Sequence, residues 1–168
     1  MPSHVVYSTS MGCGFLLFNG HRLARHLLPG DPRARIVIET VELWPKNHGI
    51  VRGKASHFGR ELALQMSGYF EHGEEIRAGL EFDFDETTEF AVKVYNQAMT
   101  ISFGHVSTYG RIAAAIGCGS PRAVGRALAA NQLPLFVPCH RIIASDGLGG
   151  WSGPPGLKAK MLALENLL

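Results

Sequence analysis

Hydrophobic and polar residues change rhythm near residue 86. Before it, residues 14–18, 22–28 and 35–38 form short apolar or alternating runs that predict strands. Asn19-Gly20 between the first two is a hairpin signal, and Pro29-Gly30-Asp31-Pro32 marks the next turn. Residues 44–55 lack periodicity and read as loop. Ser56 is placed to cap a helix whose apolar face is Phe58, Leu62, Met66, Tyr69 and Phe70, with Gly73 ending it. Residues 76–84 alternate in part and predict one more strand. Residues 1–86 are thus expected to form a small α+β domain, a sheet covered by one helix.

Asp83 to Thr87 is acidic and turn-rich and reads as a linker, after which the pattern becomes helical. Phe90, Val94, Ala98 and Ile101 form one stripe; Tyr109, Ile112, Ala113 and Ile116 form another, capped by Ser107 or Thr108. Ser120-Pro121 is a helix start, an N-cap followed by proline at the first helical position, for a helix running to about Asn131. Leu135 to Val137 and Ile142-Ile143 read as buried strands, and Leu157, Met161, Leu164 and Leu168 as the face of a last helix. Residues 87–168 form the second expected domain.

Composition narrows this picture. At 168 residues, 46% hydrophobic and 18% charged, the chain has the make-up of an ordinary globule with a real core. It has no apolar run of membrane-spanning length and no basic-then-apolar leader at Met1-Pro2-Ser3-His4, so no membrane association and a cytoplasmic location (nuclear in a eukaryote) are expected. Cys13, Cys118 and Cys139 are odd in number and irregular in spacing, which argues against a disulfide framework. The net charge of +2 is unevenly spread: residues 1–87 carry 9 basic and 11 acidic side chains, residues 88–168 carry 7 and 3. The basic half hints at a polyanionic partner.

That half also carries the chemistry. Pro138-Cys139-His140-Arg141 places a thiol, an imidazole and a guanidinium inside an apolar run. A lone Cys-His pair favours a packed core thiol. Here, however, the neighbours supply a base and a positive field, which a thiol needs to ionise. Upstream, residues 108–131 have the outline of two helices joined by a Gly-containing turn, a helix-turn-helix. Val124 and Leu128 face its core, while Arg122, Arg126, Ala129 and Ala130 show small and basic residues outward. Arg122 lies in a first helical turn, where the helix dipole disfavours a cation, so it is expected to serve a ligand or else to be merely solvated.

Ser107-Thr108-Tyr109-Gly110-Arg111, Arg122-Ala123-Val124-Gly125, Asn131, Val137-Pro138-Cys139-His140-Arg141, Gly150-Trp151-Ser152-Gly153, Lys158 and Leu164-Glu165, in that order, resemble the O6-alkylguanine-DNA alkyltransferase family. The match covers about residues 88–166; the earlier part is similar only in outline. The resemblance implies a ribonuclease H-like N-terminal unit and a mainly helical C-terminal domain with a winged helix-turn-helix. It implies a single-turnover transfer of the alkyl group from O6-alkylguanine in DNA to Cys139, with O4-alkylthymine left open. The partner would be double-stranded DNA, entered through the minor groove by a monomer with the lesion flipped out. No cofactor is implied, since the protein is itself the acceptor.

By the same resemblance His140 is the base for Cys139, acting through water because adjacent residues on an extended chain point to opposite sides, and Glu165 orients it. Tyr109 protonates the departing guanine and crowds the target phosphate, and Arg122 fills the gap left by the flipped base. Thr108, Ala123, Arg126 and Ala129 complete the DNA face. Asn131 holds the turn before the Cys segment, and Arg141 bonds across the domain. Ile142, Trp151, Ser152 and Gly153 are expected around the base and its alkyl group. Trp151 departs from the family's usual Tyr, Pro154-Pro155 stiffens the same loop, and Ile101-Ser102-Phe103-Gly104 replaces a Pro-Tyr-Gly turn. A lesion-sensing relative would lack the thiol, and a cysteine hydrolase would turn over. Some family members bind zinc, but His4, Cys13, His21 and His26 match no compact zinc spacing, and no metal is expected.

Overall fold

A computed structural model describes residues 3–34, 36 and 56–168. The chain divides into two compact units, Met1–Asp83 and Phe84–Leu168, and its architecture is mixed, a small antiparallel sheet together with helices. No described helix is long and apolar enough to cross a membrane.

In the first unit β1 (Ser3–Thr9), β2 (Gly12–Asn19) and β3 (Arg22–Leu27) form a meander in the order β1-β2-β3. The turn at Gly20 makes the expected hairpin, and the β2–β3 register shifts at Leu17/Phe18. Helix α1 (His57–His72) packs on β1. Ser56 caps it by accepting from Gly59 N, and Gly73 ends it with a left-handed φ of 68°. Residues Val5 to Thr9 are all buried. Tyr7 meets Phe70 of α1, while Val6, Phe15 and Leu27 on the other face pack with Ala34.

Several expectations fail here. β1 is absent from the sequence reading, because a strand covered on both faces shows a continuous apolar run rather than alternation. The strand expected at 76–84 reduces to a single bridge, Leu23 to Phe82; apart from that, residues 76–84 carry no strand. The strand expected at 35–38 and the loop at 44–55 lie outside the described residues, except Ile36, which is helical and exposed. Phe58 is exposed as well; Gly59 and Ala63 take its place on the buried face of α1.

The second unit begins with α2 (Glu89–Met99), capped by Thr88, followed by α3 (Tyr109–Ala115), capped by Thr108, and α4 (Pro121–Ala129), capped by Ser120. The three pack together through Val94 and Ala98, Ile112, and Val124 and Leu128. β4 (Ser107–Thr108) pairs in parallel with β5 (Ile142–Ile143) and so ties the start of α3 to the segment after Cys139. Helix α5 (Leu157–Leu164) closes the unit.

Residues 135–137 are a tight turn instead of a strand, with Pro134 bridged to Val137 and Leu135 at φ 78°. The buried Leu135 side chain mimics a core strand in sequence, yet the chain reverses there. Phe90 is exposed, Ala91 and Tyr95 being the buried residues of α2 beside Val94 and Ala98. Leu168 is also exposed, and Lys158 and Leu162 join Leu157 and Met161 on the buried side of α5.

Candidate active site

Pro138 leads into one turn of 3-10 helix, Cys139–Arg141, after which Ile142 enters β5. The turn closes through Arg141 N donating to Pro138 O at 2.9 Å. Cys139 and His140 therefore sit on a helical turn, where the sequence reading places them on an extended chain.

The Cys139 thiol is 4% exposed. Its Sγ accepts from Trp151 Nε1 at 3.2 Å and from Asn131 Nδ2 at 3.5 Å. Burial pushes the thiol above its ordinary range, while these two donors and the Lys158 charge pull the other way. Asn131 also fixes the preceding turn: Nδ2 donates to Val137 O at 3.0 Å, and Oδ1 accepts from Leu133 N at 2.9 Å.

His140 is fully buried, with Nε2 at 2.8 Å from Glu165 Oε1. Glu165 stands at the C-cap of α5, one residue past the helix. Arg141 grips the same carboxylate from Nε to Oε2 at 2.8 Å and from Nη2 to Oε1 at 3.0 Å, and Gly104 N donates to Oε2 at 3.2 Å. Arg141 Nη1 reaches Ile101 O at 2.8 Å. Burial alone would raise the Glu165 carboxyl, but the His140 and Arg141 hydrogen bonds and charges hold it down to about 2. Burial lowers the His140 imidazole, with Glu165 opposing and the Arg141 and Lys158 charges adding to the fall. A neutral imidazole facing a carboxylate donates from Nε2, which leaves Nδ1 as its basic nitrogen.

Lys158 is a buried cation whose role the sequence pattern leaves unread. Its Nζ donates to Ile142 O at 2.7 Å and Leu148 O at 2.6 Å and lies 5.8 Å from the centroid of the Tyr109 ring. One signal was present: Lys158 shares the buried face of α5 with Met161 and Leu162, three and four residues on. The Tyr109 hydroxyl donates to Gly150 O at 2.8 Å and is raised by burial and by the Cys139 charge. These bonds tie the 144–151 loop to α3 and α5.

A cavity of about 850 Å³ opens beside the thiol, lined by Cys139, Tyr109, Trp151 and Ser152 on one side and by Arg122, Arg126 and Ala129 of α4 on the other. Ser152 Oγ donates to Ala129 O at 3.3 Å. Arg122 and Arg126 are exposed. Thr108 is engaged as the cap of α3, accepting from Arg111 N at 3.2 Å. Ala123 lines a separate hollow with Phe90 and Arg126. Ile142 is fully buried, its amide bonded to Cys139 O and its carbonyl to Lys158. Gly153 packs under the Trp151 ring.

Outside this cluster, Cys118 Sγ donates to Ser120 O at 3.7 Å and Cys13 Sγ to Ser8 Oγ at 3.8 Å. His4 stacks on Phe15, His21 meets Glu81, and His26 bonds Tyr7. Among the described residues no three His, Cys, Asp or Glu side chains group as a metal site.

Fold and site together define a mixed α/β protein with a buried thiol, an imidazole–carboxylate pair behind it, and an arginine-lined cavity in front. The family model described as "6-O-methylguanine DNA methyltransferase, DNA binding domain" matches residues 89–167. A methylated-DNA–protein-cysteine methyltransferase of Metallosphaera sedula is 42% identical over 107 residues, 60% of this chain and 68% of that one. The structure of the Mycobacterium tuberculosis protein OGT in complex with DNA aligns with TM-score 0.71 and 27% identity over 95% of this chain and 90% of that one. The O6-methylguanine-DNA methyltransferase of Pyrococcus kodakaraensis aligns with TM-score 0.69 and 25% identity over 98% and 99% of the two chains. The chain belongs to the O6-methylguanine-DNA methyltransferase family.

Proposed function

We propose that this protein repairs DNA by direct reversal, moving the alkyl group of O6-alkylguanine in a duplex onto Cys139 once per molecule. The observation that carries the reading is the thiol in the wall of an arginine-lined cavity, backed by the buried His140–Glu165 pair. The carbon–Sγ bond forms as the carbon–O6 bond breaks. The electron pair stays with the guanine, which gains one proton while the thiol loses one. At rest the buried thiol is raised and the imidazole lowered, so both are neutral. The thiolate is therefore made on demand, its proton passing to His140, which Glu165 orients and charge-balances. Tyr109 gives its proton to the leaving guanine, and the proton taken up by His140 returns through water to the Tyr109 phenolate.

Helix α4 is the DNA-facing element of a winged helix-turn-helix within a domain spanning 87–168; residues 1–86 are a ribonuclease H-like domain. Small residues at Ala129 and Gly125 let α4 lie close to the minor groove. Arg122, at the mouth of the cavity that holds Cys139, fills the stack once the lesion has flipped. Trp151, Ser152 and Gly153 border the base, with Ile142 supporting them from the core. The protein acts as a monomer, and it needs no cofactor because Cys139 is itself the acceptor.

The test is a duplex carrying radiolabelled O6-methylguanine, mixed with the protein and with Cys139→Ala. Label should move to the protein and saturate near one per molecule, and none should reach the variant. Tight binding without transfer would make the protein a lesion sensor, and release of label over many cycles would make it a hydrolase; either result overturns the reading.

A further inference from the structure

Trp151 does more than wall the cavity. A thiolate formed in a site from which water is excluded needs fixed donors in place of solvent. Two side-chain N–H groups reach Sγ, and they are not equivalent. Asn131 Nδ2 also serves Val137 O, the shorter of its two contacts at 3.0 Å against 3.5 Å. Trp151 has a single N–H, and it goes to Sγ at 3.2 Å. The ring rests against Gly153: a Cβ there would lie 2.5 Å from Trp151 Cη2, so any larger residue would displace the indole that directs Nε1 to the sulfur.

We propose that the indole N–H of Trp151, seated on Gly153, positions Cys139 Sγ and stabilises its thiolate for the transfer. The role in transfer rests on the alkyl-acceptor reading above; the hydrogen bond to the thiolate does not. The other groups that face the sulfur are the Lys158 ammonium from α5, the Tyr95 phenol from α2, the Tyr109 phenol from α3, and the adjoining His140. Of these only the Lys158 charge favours the thiolate directly, and its three protons are already directed to two carbonyls and a ring face.

The test follows alkylation of Cys139 by iodoacetamide against pH, read residue by residue by mass spectrometry, in the parent, Trp151→Phe and Gly153→Ala. Both variants should shift the midpoint upward by about one pH unit, roughly a tenfold slowing below it. Methyl transfer from an O6-methylguanine duplex at neutral pH should slow by a similar factor. In the parent, the Trp151 indole ¹⁵N–H resonance should titrate together with Cys139 and stand still in Cys139→Ala, a readout that needs no Trp151 variant to fold. Unshifted profiles, or an indole resonance indifferent to the thiol, would overturn the proposal. A parent that reacts with iodoacetamide but takes no methyl from DNA would overturn the alkyl-transfer reading instead, leaving the hydrogen bond to be judged by its own pH profile.

Discussion

Each unit buries a histidine, and the two are used differently. In the first unit His26 Nε2 lies 2.6 Å from the Tyr7 hydroxyl, joining the outer strands β1 and β3 across β2. Burial pushes the Tyr7 phenol well up, so it enters the bond as a neutral hydroxyl. In the second unit His140 meets a carboxylate, the carboxylate meets a guanidinium, and the residue before the imidazole is a thiol in a cavity wall. The first arrangement satisfies polar groups that the sheet has buried. The second places charge where water would normally screen it and leaves one reactive atom at the edge. Burial of a histidine is thus common to both and marks neither as a site; what separates them is the neighbouring nucleophile in a cavity wall.

The largest test of that contrast removes the acceptor. Glu165→Ala leaves His140, Arg141 and the Gly104 amide buried around a lost carboxylate. Taking one partner from such a cluster is expected to cost about 3–5 kcal/mol of stability. Thermal unfolding should show it, and methyl transfer by the molecules still folded should fall as well. A variant that is as stable as the parent would mean that the cluster is no more than the polar filling seen around His26.

Acid should separate the units without mutation. Glu165 is held down to about 2 when folded, below its unfolded value, so its contribution is full above about pH 4.3 and is lost as pH falls towards 2. His140 is lowered, so the unfolded chain takes up its proton first, and stability begins to fall below about pH 6.5. The two effects share a sign, and the Glu165 share is on the order of 3 kcal/mol at neutral pH. In the first unit Asp31 is also depressed: burial opposes the shift, but the Arg33 hydrogen bonds and charge, with a smaller share from His26, outweigh it. Its partner Arg33 is 72% exposed, which weakens that pair. Hydrogen exchange against pH should show the Ile142 amide losing protection before that of Leu16, and Glu165→Gln should remove the component below about pH 4.3 while deepening the one below about pH 6.5, since the carboxylate no longer opposes the fall of His140.

How much of this could be read in the chain depended on whether the signal was local. Ser56 and Ser120-Pro121 act within a few residues of themselves, and their caps lie where the sequence puts them, whereas the helical turn at Cys139–Arg141 replaces the extended chain expected there. Val5-Val6-Tyr7 was not legible as a strand, because its second cover, Ala34, comes from a distant segment. Leu135 was misread because a buried leucine in a left-handed turn has the same letter as one in a strand. Phe58 and Phe90 were assigned inward on helical spacing, yet each lies at the first turn on the edge of its stripe, and the next residue, Gly59 or Ala91, is the one that is buried. The Cys139–His140–Glu165 set was named by resemblance, but Arg141's double grip and the Trp151 N–H on sulfur depend on how loops fold back, which no spacing encodes.

Lys158 sharpens the contrast at intermediate size. Lys158→Met keeps the length of the side chain and removes the donors to Ile142 O and Leu148 O. Hydrogen bonds from a charged donor are worth about 1.5–3 kcal/mol, so the loss should be of that order in total, with the 144–150 loop the first region to lose exchange protection. Because the ammonium also favours the Cys139 thiolate, the pH midpoint of thiol alkylation should rise. An unchanged midpoint would make Lys158 a peg for the loop and nothing more.

The smallest effect is the most direct control. Tyr7→Phe removes the hydroxyl and keeps the ring that packs on Phe70. It leaves one imidazole nitrogen without its phenol, at a cost of about 1–2 kcal/mol. Urea unfolding should report that loss, with an unchanged m-value since no additional surface is exposed. The rate of methyl transfer to Cys139 should match the parent, since Tyr7 belongs to the polar network of the first unit and Cys139 to the cluster of the second. A slower transfer at equal folded fraction would break the comparison at its root: the two buried histidines would then be coupled, and the first would no longer be scaffold alone.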